Sequence, residues 1–199
     1  MSMGRSLALG LTWFRLGLAP VFVWLGIHRT AGWLAAGLLI LGFLSDVFDG
    51  IIARRFGVAT AGLRHFDSIA DTYFYLGVAF CAIRTFPGVF HTYAVGIAIV
   101  LCTEIGHHIP PKLKYGRTSS YHAWSAKLWG ATLFAALVVL LASGNGALLP
   151  VAIVCGVIAH LENIAMTLVL PTWHHDVRSL VHAWRLRDAE RQMIAVKER

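Results

Sequence analysis

Apolar residues run along this chain in long blocks separated by short polar breaks. A helix needs about 20 mainly apolar residues to cross hydrocarbon. Six blocks approach that length, at about residues 12 to 27, 32 to 53, 66 to 83, 89 to 106, 124 to 142 and 147 to 170. The breaks at Ile27-His28-Arg29-Thr30, Arg84-Thr85-Phe86-Pro87-Gly88 and Ser143-Gly144-Asn145-Gly146 carry turn residues suited to joining antiparallel helices. The pattern predicts an all-α polytopic membrane protein, read as a single domain over residues 1 to 199, with amphipathic terminal helices at the membrane surface. Six spans place both termini on one side.

Composition reinforces this reading. With 57% hydrophobic residues, 14% charged residues and a mean hydropathy of +0.67, the 199-residue chain is suited to lipid rather than to a water-facing fold. Cys81, Cys102 and Cys155 are scattered through apolar blocks and suggest neither a disulfide framework nor a metal knuckle. The net charge of +7 comes from residues grouped beside the apolar blocks, which favours anionic lipid over nucleic acid as the partner. Fifteen Lys and Arg, among them Arg15 and Arg199, fall on one side of the predicted spans, and only Arg29 and Arg84 on the other. The bias of basic residues toward the cytoplasm puts both termini there, as in an integral protein of a bacterial cytoplasmic membrane. Arg15 interrupts the first block, which argues against a cleaved leader. In the basic tail, about 174 to 199, Val177, Leu180, Val181 and Trp184 recur at helical spacing. Such a helix lies on anionic lipid or packs against the neighbouring loops.

Four carboxylates stand out within the second and third blocks. Asp46 and Asp49 are three residues apart and Asp67 and Asp71 four apart, so each pair projects from one face of its helix. An Asp at mid-membrane costs roughly 2.5 to 3.5 kcal/mol, so four unpaired ones would cost on the order of 10 kcal/mol. Cations must offset that. An all-oxygen donor set suits hard ions such as Mg²⁺ or Mn²⁺, and two of them can clamp a phosphoryl group. Gly50 and Ala53 share the stripe of Asp46 and Asp49, either to pack a helix closely or to admit a flat ligand. Arg54 follows Gly50 by one turn, placed either to pair with phosphate or to anchor at the interface.

These residues closely resemble the signature of the CDP-alcohol phosphotransferase family, D-x2-D-G-x2-A-R-x8-G-x3-D-x3-D. Asp46, Asp49, Gly50, Ala53, Arg54, Asp67 and Asp71 match it in identity and spacing, while Leu63 stands at the second glycine, with Gly62 just before it. The resemblance implies that the four aspartates hold two divalent cations, Mg²⁺ or Mn²⁺, and that Asp71 acts as general base with Asp67 beside it. It implies that Asp46, Gly50, Ala53, Arg54 and Gly62 bind the nucleotide of a CDP-linked lipid, CDP-diacylglycerol. Phosphatidyl transfer to an alcohol would release CMP, in a homodimer whose site opens to the cytoplasmic leaflet.

Arg117 and Lys127 have a spacing that resembles the basic residues flanking the fifth span of phosphatidylglycerophosphate synthases, and Lys112 and Lys114 stand nearby. The cluster points to a phosphorylated acceptor, glycerol 3-phosphate first, with inositol phosphate, inositol or another alcohol as alternatives. Ala126-Lys127-Leu128-Trp129-Gly130 departs from those synthases in lacking a second basic residue and a threonine. Glu104 is expected to pair with Arg64, Lys127 or another basic group, and Glu162 with Asn163 to serve helix or dimer contacts. His107, His108, His122, His160, His174 and His175 form no H-E-x-x-H motif and read mostly as interfacial. A cation transporter or a non-catalytic lipid-binding homologue are the rival functions. The first leaves Gly50, Ala53 and Arg54 unexplained, and the second is hinted at only by Leu63.

Overall fold

The computed structural model describes residues 3–58, 60–119 and 121–197, so Arg199 of the basic tail lies outside the described residues. Its helices are α1 (Met3–Ile27), α2 (Trp33–Arg55), α3 (Ala61–Thr85), α4 (Pro87–Thr92), α5 (Ala94–Gly106), α6 (Ile109–Tyr115), α7 (Trp124–Ser143), α8 (Leu149–Val169) and α9 (Leu180–Lys197). Six segments are long and apolar enough to cross a membrane: Gly4–Ile27, Trp33–Arg55, Gly62–Thr85, Ala94–Tyr115, Trp124–Ser143 and Leu149–Val169. The protein is therefore an all-α polytopic membrane protein. The first span begins earlier than the pattern predicts, because α1 is continuous from Met3. The fourth is displaced toward the C-terminus: Pro87 opens the separate short helix α4, and the apolar run then continues through α5 into α6.

Packing groups the chain into two compact units. The first takes in the helices up to Thr92 together with Leu137–Gly146, and the second Tyr93–Ala136 and the chain from Ala147 onward. In the first unit α1 packs extensively against both α2 and α3, which touch each other far less. Phe22 of α1 meets Phe74 of α3 edge to face at 5.7 Å, and Leu39, Val78, Leu140 and Leu141 of the same unit are also buried. Small residues allow this approach. A Cβ on Gly77 of α3 would stand 2.8 Å from the Ala19 carbonyl oxygen of α1, and one on Gly42 of α2 would run into the Phe74 ring.

In the second unit α5, α6 and α9 pack on α8. The Lys114 ammonium donates to the carbonyls of Thr167 (2.8 Å), Leu168 (3.1 Å) and Leu170 (2.7 Å), closing the C-terminal end of α8. Glu162 accepts from the backbone N–H of Leu180 at 3.0 Å, so its part in helix contacts is to cap α9. The tail stripe divides between two environments. Val177 and Ala183 are buried with Ala123, Met166 and Leu170, and Leu180 packs against them, whereas Val181 and Trp184 stay exposed. Docking on the protein thus claims one face of α9 and leaves the Val181–Trp184 face free.

Gly77→Val should drive side-chain atoms into the backbone of α1 and cost about 1–3 kcal/mol of stability. Gly37→Ala, at a position with open space around the glycine, should not. Thermal unfolding of both variants in detergent checks the contrast, and equal midpoints would contradict the close α1–α3 contact.

Candidate active site

The α2–α3 connection is built to bring two helix ends together. Gly57, at φ +64°, follows the end of α2, and the Val58 N–H reaches back to the Ala53 carbonyl at 3.0 Å while Gly57 reaches Arg54 at 3.3 Å. This pattern terminates a helix with a left-handed residue, which glycine adopts without cost. Thr60 then caps α3, its hydroxyl accepting from the Leu63 N–H at 3.2 Å. The chain has reversed within a few residues, and the Asp46–Asp49 and Asp67–Asp71 faces meet.

They meet on Arg15. Its guanidinium, fully buried in α1, places Nη1 2.8 Å from Asp46 Oδ1, Nη2 3.1 Å from Asp49 Oδ2 and Nε 2.8 Å from Asp71 Oδ1, and Nη2 also pairs with Asp67. Asp49 is 6% exposed, while Asp46, Asp67 and Asp71 are between 30% and 37% exposed, so one edge of the cluster stays open. The Thr12 hydroxyl donates to the Ala8 carbonyl at 3.1 Å and lies 3.5 Å from Asp49 Oδ2. Arg15 therefore does not belong to the basic side of the charge asymmetry. A rise of 1.5 Å per residue puts it about 18 Å inside α1, where its counter-charges hold it.

One guanidinium cannot balance four carboxylates, and Asp46, Asp49 and Asp67 each offer an oxygen within 4.8 Å of the others. The all-oxygen donor set and the uncompensated negative charge fit hard divalent cations. Beside the cluster opens a cavity of about 310 Å³ lined by Gly50, Ala53, Arg54, Leu63, Arg64 and Asp67, among others. A Cβ on Gly50 would meet only the end of Arg54, at 3.6 Å, so helix packing does not require glycine there. Among the described residues no carboxylate pairs with Arg54 or Arg64. The cavity thus joins a small-residue wall, two available guanidinium groups and the open edge of the carboxylates. Gly62 lies on the exposed side of the first turn of α3, and Leu63 lines the cavity in its place.

The chain belongs to the CDP-alcohol phosphatidyltransferase family, whose model matches residues 5–173. No curated protein and no solved structure matches it. Members transfer a phosphatidyl group from a CDP-alcohol to an acceptor, and this chain is accordingly a membrane-embedded phosphotransferase.

The basic residues singled out for the acceptor lie in the second unit. Lys112 is exposed on α6, and Arg117 lies over the Trp173 ring at 5.8 Å. Lys127 lies over Trp124 at 4.5 Å and lines an open cavity of about 480 Å³ with His122, Asp176 and Arg178. Lys114 has its donors taken up by carbonyls at the end of α8. Glu104 pairs with neither Arg64 nor Lys127: its partners are histidines, His160 at 2.7 Å and His107 and His108 at 3.8 Å. His107 and His160 are buried rather than interfacial, because α5 and α8 enclose them. His122 and His175 are exposed beside Asp176, and His174 pairs with Glu190 at 2.7 Å. Thr12, Arg15 and Arg64 are the site residues that sequence reasoning did not assign. The signal for the first two was Thr12-x-x-Arg15, one turn apart in an apolar helix that gave the arginine no partner of its own.

Removing the guanidinium should leave four carboxylates with no fixed cation, a change that typically costs about 3–5 kcal/mol for a buried pair. Arg15→Gln should melt earlier than the wild type in EDTA and regain part of the loss with Mg²⁺. A melt insensitive to both the substitution and the ion would contradict the electrostatic role.

Proposed function

We propose that this protein transfers the phosphatidyl group of CDP-diacylglycerol to a small polar alcohol and releases CMP. One observation carries the reading: carboxylates from two helices converge beside a cavity whose wall is Gly50 and Ala53 and whose cations are Arg54 and Arg64. A cytidine diphosphate needs those parts. Its flat base needs a wall without side chains, and its phosphates need guanidinium donors that no protein carboxylate already holds.

Asp46, Asp49, Asp67 and Asp71 would hold two divalent ions, Mg²⁺ or Mn²⁺, which when bound supply positive charge to the phosphoryl oxygens. The remaining work falls to the chain. Gly50 and Ala53 seat the cytidine with Asp46 beside it, and Arg54 holds the donor phosphates. Leu63 narrows the floor where a glycine would leave room, and Gly62, one residue earlier, is the bare backbone of α3 next to it. Asp71 takes the proton from the acceptor hydroxyl. The hydroxyl oxygen forms its bond to the lipid-linked phosphorus as the bond to CMP breaks, and the electron pair leaves with CMP. A lipid donor and a soluble acceptor require a site open to both bilayer and water.

For the acceptor we favour a phosphorylated alcohol, glycerol 3-phosphate first. The support is the set of exposed cations Lys112, Arg117 and Lys127, to which Arg178 adds a fourth from the cavity it shares with Lys127. The carbonyl contacts of Lys114 make it the weakest of the four residues chosen from sequence. The asymmetry of basic residues supports termini and active site on the cytoplasmic side of a bacterial membrane. By family resemblance we take the working unit to be a homodimer.

Asp71→Asn and Asp67→Asn should each lower CMP release from CDP-diacylglycerol by at least about 100-fold, as expected when the general base Asp71 or the ion-holding carboxylate Asp67 is removed, with folding intact by gel filtration. Turnover at the wild-type rate in both would refute the assigned roles. A panel of alcohols assayed with purified protein in lipid should give turnover with glycerol 3-phosphate or another phosphorylated acceptor, reduced in Arg117→Ala and Lys127→Ala. Turnover confined to unphosphorylated alcohols would reject the acceptor assignment.

A further inference from the structure

A second group of ligating side chains lies in the second unit, built from nitrogen as well as oxygen donors. Glu104 stands near the end of α5, His107 follows that helix by one residue, and His160 faces them from α8. The side chains of His107 and His160 are only 10% and 4% exposed, and their rings stack with centroids 5.1 Å apart and planes within 6°. Trp129 closes over His160 edge-on at 4.6 Å. Apolar surroundings of this kind do not tolerate polar atoms without partners.

The hydrogen bonds around His160 identify its free nitrogen. Thr103 donates its one hydroxyl proton to the Val100 carbonyl at 3.0 Å, so toward His160 Nδ1, at 2.9 Å, it can only accept. In the tautomer that satisfies this contact, Nδ1 carries the proton of the neutral ring and Nε2 presents a lone pair. That nitrogen lies 2.7 Å from Glu104 Oε2. His107 Nδ1, also buried, lies 3.8 Å from the same oxygen.

We propose that Glu104, His107 and His160 form a structural site for a zinc-class divalent ion that clamps the end of α5 to α8. Zinc held tetrahedrally at about 2.0–2.1 Å from imidazole nitrogen and carboxylate oxygen sets its ligand atoms about 3.3 Å apart. The separations of 2.7 and 3.8 Å bracket that value, and all three donor atoms lie within 4.8 Å of one another. Thr103 serves as the outer partner that fixes the ring and tautomer of a liganding histidine. His108, half exposed with Nε2 3.8 Å from Glu104 Oε1, stands ready as a fourth ligand. Imidazole donors select zinc-like ions over the Mg²⁺ suited to aspartate oxygens.

The test uses the full chain carrying His122→Gln and His175→Gln, to remove the exposed histidines beside Asp176, and an affinity tag without histidine. After chelator treatment and re-equilibration with Zn²⁺ in excess Mg²⁺, which occupies the aspartate cluster, elemental analysis should find about one zinc per chain, and Co²⁺ should give the visible bands of a four-coordinate site. Glu104→Gln, close in shape to the native residue, should abolish both. Thr103→Val, which touches no ion, should weaken Co²⁺ binding by about 10–100-fold. Absence of Co²⁺ bands in the starting protein would overturn the proposal, leaving Glu104 and His160 to share a proton. Bands unchanged by Glu104→Gln would overturn it equally, by locating the ion elsewhere.

Discussion

The first unit is organised around one charged group that has no solvent. Arg15 is enclosed completely, and its guanidinium touches carboxylates from both neighbouring helices. Burying an arginine in an apolar helix is costly, and burying an aspartate pair on a facing helix is equally so. Each makes the other tolerable. Because α1 carries the shared counter-charge, it is the helix that packs against both α2 and α3. The glycines that let it approach, such as Gly77 against Ala19, serve an electrostatic purpose as well as a steric one. The compensation is also incomplete. Four carboxylates around one cation leave negative charge beside the cavity, and a fold that tolerates such a deficit is prepared for further positive charge.

Much of this was legible in the chain itself. Hydrocarbon leaves a backbone few choices, so long apolar blocks translate into helices, although the first and fourth spans are displaced by several residues. The paired aspartates were legible because helical spacing alone puts each pair on one face. Arg15 was not, and the reason is instructive. Topological reasoning counts each basic residue as a marker of the side it lies on, so an arginine within a span is assigned to the nearer end. The contradictory fact, an unpartnered arginine and four unpartnered aspartates in one membrane protein, was already visible in the sequence, and joining the two would have found the pairs.

The second unit was less legible because its decisive contacts link residues far apart in the chain. Glu104 and His160 are brought together by the packing of α5 on α8, which no local pattern announces. The tail shows a different limit. An apolar stripe on a helix states that one face avoids water, but lipid and protein satisfy it equally well. The stripe is split, Val177, which precedes α9, and Leu180 turning to the protein while Val181 and Trp184 do not. Glu162 decides where the split falls by capping Leu180 and so setting where the helix begins.

The departure at Leu63 bears on how the donor is held. Its backbone N–H is already committed to the Thr60 hydroxyl, and its side chain lines the cavity, so the first turn of α3 offers the donor neither free N–H at that position nor bare backbone. On the proposed reading the α2 wall then carries more of the nucleotide, and there the chain keeps Gly50, Ala53 and Arg54, with Arg64 of α3 as a second guanidinium. A leucine also brings apolar surface to a cavity that must accept a lipid-linked substrate. On the proposed reading, the substitution puts a side chain on the α3 side of the donor cavity and leaves the four carboxylates and Arg15 untouched.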